Sequence, residues 1–249
     1  MTSNRAKEQA GASADLRVSD LDVRFGDFKA LEGIAIEVWP GEIVGVIGPN
    51  GAGKSTLVNA LTGVVAPTAG TIELCGRALQ RERPNARAKL GLLRTFQTAE
   101  LFGSLSVNDN ISLGIRRAVA ERGRDAARIA IERLGVGPLV GLKADDLSGG
   151  ERKLVELVRS VAGVPDLLLL DEPVAGVPVH DRQRVIELLR DHIARTGAST
   201  LLIEHDMEFI SGICDWIYVM AAGEIIASGP WAAISTNEVV LEAYLGSSV

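Results

Sequence analysis

Residues 42–63, EIVGVIGPNGAGKSTLVNALTG, contain the pattern that decides the fold. The apolar segment EIVGVIG is typical of a buried strand, and KSTLVNALTG is typical of a helix that Gly63 ends. Between them, Gly48–Ser55 fits G-x-x-x-x-G-K-[ST], a loop that joins a strand to a helix. Its glycines let successive backbone N–H groups converge on phosphate oxygens, and the helix N-terminus adds partial positive charge. The stretch therefore predicts a nucleotide phosphate site.

Three side chains of this loop suit a nucleotide bound together with a metal ion. The Lys54 ammonium would reach the β- and γ-phosphates, and the Ser55 hydroxyl would bind Mg²⁺. Thr56 would support a contact to the α-phosphate. The residues expected to contact nucleotide are Gly48, Pro49, Asn50, Gly51, Ala52, Gly53, Lys54, Ser55 and Thr56.

Two later segments predict further strands of the same sheet. LLLLD at Leu167–Asp171 and STLLIE at Ser199–Glu204 are typical of buried strands, and Asp181–Arg195 between them has the spacing of an amphipathic helix. Strands that alternate with helices predict a largely parallel α/β sheet. Parallel strands bring their carboxyl ends to one sheet edge, so Asp171 and the next residue, Glu172, should lie near the phosphate loop. We expect Asp171 to hold Mg²⁺ through water and Glu172 to polarise the attacking water as general base.

A second glycine-rich motif lies at Leu147–Glu151, with the sequence LSGGE. A serine hydroxyl and glycine amides at a helix N-terminus form an anion cradle. The motif resembles the LSGGQ signature of ATP-binding cassette (ABC) proteins. We therefore expect Ser148, Gly149 and Gly150 to contact nucleotide as well.

The remaining motifs follow in the order of that family. Gln97 in RTFQ and His205 in IEHD occupy the positions of its Q-loop and switch histidine, and Phe25 matches its adenine-stacking aromatic residue. The resemblance runs from Leu16 to Gly246 and implies an ATPase that uses Mg²⁺. The residues it implies are Glu172, His205, Gln97 and Lys54 for catalysis, and Ser55, Gln97 and Asp171 for the metal.

The same resemblance implies the fold and its division into parts. We expect an α/β fold: a P-loop NTPase core with a mixed sheet, an N-terminal antiparallel β region and an inserted α-helical subdomain. Residues 1–14 would be a flexible tail and 15–97 the first part of the core. Residues 98–162 would form the helical subdomain with the signature motif, and 163–249 the second part of the core.

Within the family, the sequence is most similar to the ATPases of branched-chain amino acid and urea importers. RTFQTAELFGSLSVNDN, LTGVVAPTAGTI and IEHDM resemble that subgroup. The implied function is to energise import of branched-chain or related small amino acids, amides or urea. LSGGER and DEPVAG also resemble the lipopolysaccharide-export ATPase, which stays open as an alternative. An ABC ATPase acting outside transport is a further alternative.

The resemblance also implies partners. The phosphate loop of one subunit would close over ATP against Ser148 and Gly150 of another, so a second ABC ATPase subunit is expected, in a homodimer or a heterodimer. Two membrane permease subunits would each insert a short helix into a groove lined by Thr98–Asn108. A substrate-binding protein would act indirectly, through the permeases.

Three positions depart from the family pattern. Glu151 stands where glutamine is usual in the signature, and Lys153 replaces an arginine common in relatives. Pro178-Val179 fills the D-loop, where similar proteins carry Asp, Asn or Thr. Because proline lacks an N–H and fixes φ, this last departure puts signalling between subunits through the D-loop in question.

Composition excludes several other classes of protein. The 249 residues include 26 Lys+Arg and 32 Asp+Glu, for a net charge of −6, which argues against a nucleic-acid partner. Arg81–Arg94 is rich in basic residues and is interpreted as a solvated face. No segment approaches the roughly 18 uninterrupted apolar residues of a membrane span. We therefore expect a cytoplasmic protein, and the resemblance, through the permease partners, implies that it is peripheral on the inner face of the cell membrane.

Overall fold

The computed structural model describes residues 13–116 and 118–245 of the chain. Residues 1–12 of the predicted tail lie outside the described residues, and its last two positions lie within them. Gly246, at the end of the predicted resemblance, also lies outside the described residues. The strands are β1 Leu16–Phe25, β2 Phe28–Val38, β3 Ile43–Ile47, β4 Ala69–Leu74, β5 Arg77–Ala78, β6 Leu92–Arg94, β7 Leu167–Asp171, β8 Ser199–Ile203, β9 Trp216–Ala221 and β10 Glu224–Gly229. The helices are α1 Lys54–Thr62, α2 Pro84–Lys89, α3 Val107–Ile115, α4 Ala120–Leu134, α5 Gly149–Ala162, α6 Val179–Thr196, α7 Met207–Ile213, α8 Trp231–Ile234 and α9 Glu238–Leu245.

The larger sheet has the strand order β10-β9-β3-β8-β7-β6. Strands β6, β7, β8, β3 and β9 run parallel, and β10 pairs antiparallel with β9, so the sheet is mixed. Every residue of β3, β7 and β8 is buried. Such continuous apolar strands are typical of a parallel sheet that is covered on both faces.

The alternation of side chains along these strands separates two hydrophobic clusters. Ile43 and Ile47 of β3 pack with the helices that follow β6, whereas Val44 and Val46 pack with α1 and the smaller sheet. The smaller sheet is antiparallel, in the order β2-β1-β4-β5. The predicted fold class is therefore confirmed, including the N-terminal antiparallel region.

The helical part of the chain lies between the adjacent parallel strands β6 and β7. It contains α3, α4 and α5, and α3 is capped by Ser106, whose side chain accepts a hydrogen bond from the Asp109 N–H. Such serine caps satisfy N–H groups that the first helical turn leaves free. The boundaries at residues 98 and 162 stay a prediction.

The interpretation of Arg81–Arg94 as a solvated face holds for Arg81, Arg83 and Lys89, which are exposed, but is wrong for Arg87. Pro84–Lys89 form α2, and the Arg87 side chain is only 2% exposed. Its guanidinium donates to the carbonyl oxygens of Ala60 and Leu61, each at 2.7 Å, in the last turn of α1. Helix ends leave carbonyl groups without intrahelical partners; the buried arginine satisfies that of Leu61 and is a second donor to that of Ala60, which also accepts from the Gly63 N–H.

Candidate nucleotide-binding site

Four parallel strands end at the same edge of the larger sheet, and their following residues meet there. Strand β3 leads into the phosphate loop, β6 leads to Gln97, β7 leads to Glu172 and β8 leads to His205. A cavity of about 290 Å³ opens at this edge. It is lined by residues 50–56 together with Phe28, Ala30, Gln97, Glu172 and His205. The structure thus brings all four predicted catalytic residues around one cavity, whereas Asp171 is not part of the lining in the described part of the chain.

The phosphate loop needs glycine at two of its positions. Gly48 has φ +155°, and a Cβ there would lie 2.1 Å from the carbonyl oxygen of Met220. Gly53 has φ +101°, and a Cβ there would lie 2.9 Å from the carbonyl oxygen of Ala30. Any side chain at either position would displace backbone, so the loop depends on glycine for both its conformation and its packing.

Lys54 is the first residue of α1 and turns its ammonium back over the loop. The Nζ atom donates to the carbonyl oxygens of Gly48 and Pro49. Burial lowers the pKa of Lys54, while Glu172 and Asp171 oppose that shift. The ammonium is therefore held beside the cavity, with two carboxylates nearby.

Glu172 lies between the other two predicted catalytic side chains. Its Oε2 accepts from Gln97 Nε2 at 3.4 Å, and its Oε1 lies 3.6 Å from His205 Nδ1. The backbone of Glu172 has φ +47°, an unusual value for a residue other than glycine. Such backbone strain concentrates at functional sites, where the surrounding structure enforces it. The strained position directs the carboxylate of Glu172 to the side chains of Gln97 and His205.

Asp171, predicted to hold the metal, is mostly buried and paired with a residue that the sequence analysis missed. Its Oδ2 accepts from Arg94 Nη2 at 3.1 Å. The Arg94 guanidinium also donates to Asn59 Oδ1 at 3.1 Å and lies over the Phe96 ring. Burial raises the pKa of Asp171, and Arg94 opposes the shift. Arg94 is the first residue of the RTFQ motif, but no spacing rule relates it to Asp171, 77 positions further along the chain.

A second missed residue is Glu204, which is fully buried next to the switch histidine. Its Oε2 accepts from the backbone N–H groups of His205, at 2.8 Å, and Asp206, at 3.2 Å. Its Oε1 accepts from the Val174 N–H at 3.3 Å. The carboxylate therefore fixes the backbone on which His205 stands and ties it to the segment that follows β7.

The signature residues lie at the N-terminus of α5 and do not line this cavity in the described part of the chain. Ser148 caps the helix by accepting from the Glu151 N–H, while the Glu151 carboxylate accepts from the N–H and hydroxyl of Ser148. This reciprocal arrangement is a capping box, and glutamate at the usual glutamine position completes it. These hydrogen bonds lower the pKa of Glu151.

The signature motif packs against the D-loop. A Cβ on Gly150 would lie 2.5 Å from the carbonyl oxygen of Gly176 and 3.5 Å from Pro178 Cδ. Pro178 is the N-cap of α6, with φ −55°, a position at which a helix requires no N–H from its residue. The proline therefore fits the fold without loss of a helical hydrogen bond, and its effect on signalling between subunits stays a prediction.

The predicted adenine-stacking residue, Phe25, lies across the β1–β2 turn from another phenylalanine. Phe25 and Phe28 are cross-strand partners at the β1–β2 turn, and both side chains are exposed. In the described part of the chain, Phe28 rather than Phe25 lines the cavity. Stacking by Phe25 stays a prediction, and Phe28 is a third residue that the motif comparison missed.

A phosphate loop, a carboxylate pair after a buried parallel strand and a flanking glutamine and histidine define a P-loop ATPase. The chain belongs to the ABC transporter family, because the sequence model of that family matches residues 31–175. Within this family the chain is an ATP-binding, ATP-hydrolysing cassette.

Relatives agree with this assignment over nearly the whole chain. The chain is 36% identical to the high-affinity branched-chain amino acid transport ATP-binding protein LivG of Escherichia coli, across 94% of this chain and 98% of LivG. It is 33% identical to BraF of Pseudomonas aeruginosa, which carries the same description, across 94% and 98%. An ATP-binding cassette of an ABC transporter, solved in its ADP conformation, superposes with a TM-score of 0.82 at 31% identity, covering 94% of this chain and 99% of that one.

Proposed function

We propose that this chain is the ATP-hydrolysing subunit that energises an importer of branched-chain or related small amino acids, amides or urea. The arrangement of Gln97, Glu172 and His205 around the phosphate-loop cavity supports the hydrolytic part of this proposal. The substrate class rests on LivG and BraF, whose descriptions name branched-chain amino acid transport.

In the proposed reaction, Glu172 accepts a proton from the attacking water. General-base catalysis of this kind contributes about 10²–10⁴-fold in rate. Gln97 and His205, on either side of the carboxylate, orient that water and hold Glu172 in place. The Lys54 ammonium exchanges its two loop carbonyls for the β- and γ-phosphate oxygens and compensates their charge.

The residues proposed for Mg²⁺ suit that ion. Ser55 offers a hydroxyl oxygen, Gln97 a carbonyl oxygen and Asp171 a carboxylate, and Mg²⁺ prefers oxygen ligands of this kind. Bound Mg²⁺ would neutralise charge on the phosphates. Arg94, which pairs with Asp171 at 3.1 Å, would hold that carboxylate in place next to Glu172.

A second ATPase subunit completes the proposed site. Ser148, Gly149 and Gly150 lie at a helix N-terminus, a group suited to bind anions, and they do not line the described cavity of their own chain. We infer that these residues contact ATP held by the phosphate loop of a second subunit. The second subunit is either a copy of this chain or a homologous ATPase.

The proposed permease contact is a groove between the core and the helical part of the chain. A cavity of about 390 Å³ lies there, and its lining includes Val64, Phe96, Phe102 and Leu113. Phe102 belongs to the predicted segment Thr98–Asn108 and is more than half exposed. An apolar groove suits the apolar face of a short amphipathic permease helix.

Across the described residues, no helix combines the length and apolar character that a bilayer span requires. We propose that permeases hold the chain at the inner face of the membrane.

The test is transport in proteoliposomes that contain the full chain with its co-purified permeases. With a leucine-loaded binding protein present, we expect hydrolysis to increase and labelled leucine to accumulate against its gradient. The Glu172→Gln variant should abolish both, whereas Glu187→Gln, which changes an exposed carboxylate on α6, should leave both intact. Hydrolysis that no amino acid stimulates, or leucine moving outward, would contradict the proposed import function.

A further inference from the structure

The signature helix α5 carries a buried ion pair that the proposed reaction does not yet use. Lys153 and Glu156 are 3% and 0% exposed, and their charged groups lie 3.5 Å apart. Arg159, one turn further on, lies 3.8 Å from the same carboxylate. Burying such charges is favourable only when hydrogen bonds satisfy their remaining donors and acceptors. The hydrogen-bond partners of Lys153 and Glu156 therefore show which parts of the backbone the pair keeps in place.

Lys153 binds backbone from two different strand ends. Its Nζ donates to the carbonyl oxygen of Phe96, to that of Gln97 at 3.3 Å and to that of Asp171 at 3.2 Å. The first two carbonyls belong to the segment after β6, and the third begins the peptide bond that leads into Glu172. One ammonium thus joins the residue before the proposed general base to the glutamine that contacts it.

Glu156 holds the same segment by its N–H groups. Its Oε1 accepts from the Phe96 N–H at 3.3 Å and from the Glu100 N–H at 3.2 Å. Burial raises the pKa of Glu156, and Lys153 is the strongest of the opposing influences. The pair therefore fixes both the donors and the acceptors of the backbone around Gln97, and it does so from the helix that carries the signature motif.

We propose that Lys153, with Glu156 as its counter-ion, is a positioning residue for ATP hydrolysis: it sets the place of Gln97 relative to Glu172. The Gln97 amide lies 3.4 Å from the Glu172 carboxylate, at the limit of a hydrogen bond, so a small shift of either backbone breaks the contact. Because the anchor stands on α5, movement of the signature helix moves Gln97 with it. This inference rests on the proposed role of Glu172 and Gln97 in hydrolysis.

A purely structural pair would behave differently on replacement. Buried ion pairs that only fill a core are often replaced by apolar residues of similar volume with neutral or improved stability. The replacement Lys153→Met with Glu156→Leu removes both charges of the pair and leaves Arg159, which is partly exposed, with Glu100 as the carboxylate that still acts on it. If the pair only stabilises the fold, this variant keeps full activity. If the pair positions Gln97, the variant folds but loses the contribution of that glutamine.

The experiment is a double-mutant cycle on kcat for ATP hydrolysis by the full chain. In the natural sequence, Gln97→Ala should lower kcat by about 10-fold or more; in the Lys153→Met/Glu156→Leu background, it should lower kcat by less than about 2-fold. Lys153→Arg, which keeps a cation with N–H donors, should retain most of the effect of Gln97. Arg87→Met removes another buried cation that binds carbonyls, far from Gln97, and should keep the full effect.

Each outcome decides between the alternatives. Independent, multiplicative effects of Gln97→Ala and the pair replacement would overturn the positioning role while leaving the proposed hydrolysis intact. If the pair variant does not fold, Lys153→Gln carries the same cycle, because its shorter amide cannot reach all three carbonyls; an undiminished Gln97 effect there would also overturn the inference. Hydrolysis that survives Glu172→Gln at the natural rate would instead overturn the proposed function, and the positioning role with it.

Discussion

Lys54 places a positive charge against the phosphate loop, where its ammonium donates to the carbonyl oxygens of Gly48 and Pro49. Replacing it with alanine removes the single side-chain cation that lines the described cavity. We predict that Lys54→Ala lowers ATP affinity by at least about 10-fold, because charge-assisted hydrogen bonds to phosphate are among the strongest. Titration calorimetry measures the change. Lys143→Ala, at an exposed position, is the control, and unchanged binding by Lys54→Ala would refute the assignment of the phosphate site.

His192 shows how a single buried residue makes stability depend on pH. Its side chain is almost completely buried on α6, and its Nε2 has no hydrogen-bond partner within the described residues. Burial lowers the pKa of His192 from 6.5 to about 4, and Asp191 opposes the shift. The folded chain therefore holds a neutral imidazole where the unfolded chain holds one that titrates near neutrality.

The sign of the effect follows from that difference. Because the folded pKa lies below the unfolded value, the stabilisation is fully present above pH 6.5 and is lost as the pH falls towards about 4. The lowered pKa corresponds to about 3 kcal/mol. We predict that His192→Phe removes this part of the acid sensitivity, measured by urea unfolding at about pH 7.5 and about pH 4.5. His180→Phe, at an exposed site, should keep it. Equal pH dependence of His192→Phe and the natural chain would be inconsistent with a neutral His192.

Among the elements, α1 connects the phosphate loop to the rest of the core, and its C-terminal end depends on a residue of α2. The Arg87 guanidinium donates to Ala60 and Leu61 carbonyls and to the Glu82 carbonyl at 2.9 Å. We predict that Arg87→Met lowers the free energy of unfolding by about 1–3 kcal/mol, because it leaves the Leu61 carbonyl without its donor and removes one of the two donors to the Ala60 carbonyl. Chemical denaturation measures this loss. Arg83→Met, at the exposed start of α2, should cost far less, and a similar cost for both would contradict the capping role.

The sequence predicted those elements whose signals are local. Strand β3, the phosphate loop and α1 follow from consecutive residues, and Gly63, with φ +79°, ends α1 as expected. The resemblance supplied Gln97 and His205, which β6 and β8 bring to the cavity. Contacts between residues far apart in the chain were not predictable from patterns, because no spacing rule relates the partners. The missed residues are Phe28, Arg94, Glu156 and Glu204, and Lys153 was noted only as a departure.

At the scale of the whole molecule, the described chain carries two groups for which we propose anion binding, and they do not share a cavity. The phosphate loop lines its own cavity, whereas the α5 N-terminus with Ser148 lies outside that cavity. A net charge of −6 is compatible with both, since backbone amides and Lys54 supply the local positive potential. In the proposed arrangement, each chain contributes one half of two composite sites, and we predict that hydrolysis requires two subunits to close.

The most direct test of this account is ATP binding, dimerisation and hydrolysis by the Glu172→Gln variant. The amide keeps the shape of the side chain but cannot accept a proton from water, so we predict unchanged ATP affinity and a dimer that persists with ATP. Hydrolysis should fall by at least about 100-fold. Size-exclusion chromatography with ATP and a phosphate-release assay give these quantities. Hydrolysis at the natural rate would contradict the assignment of Glu172 as the general base, and a monomer in ATP would contradict the composite site.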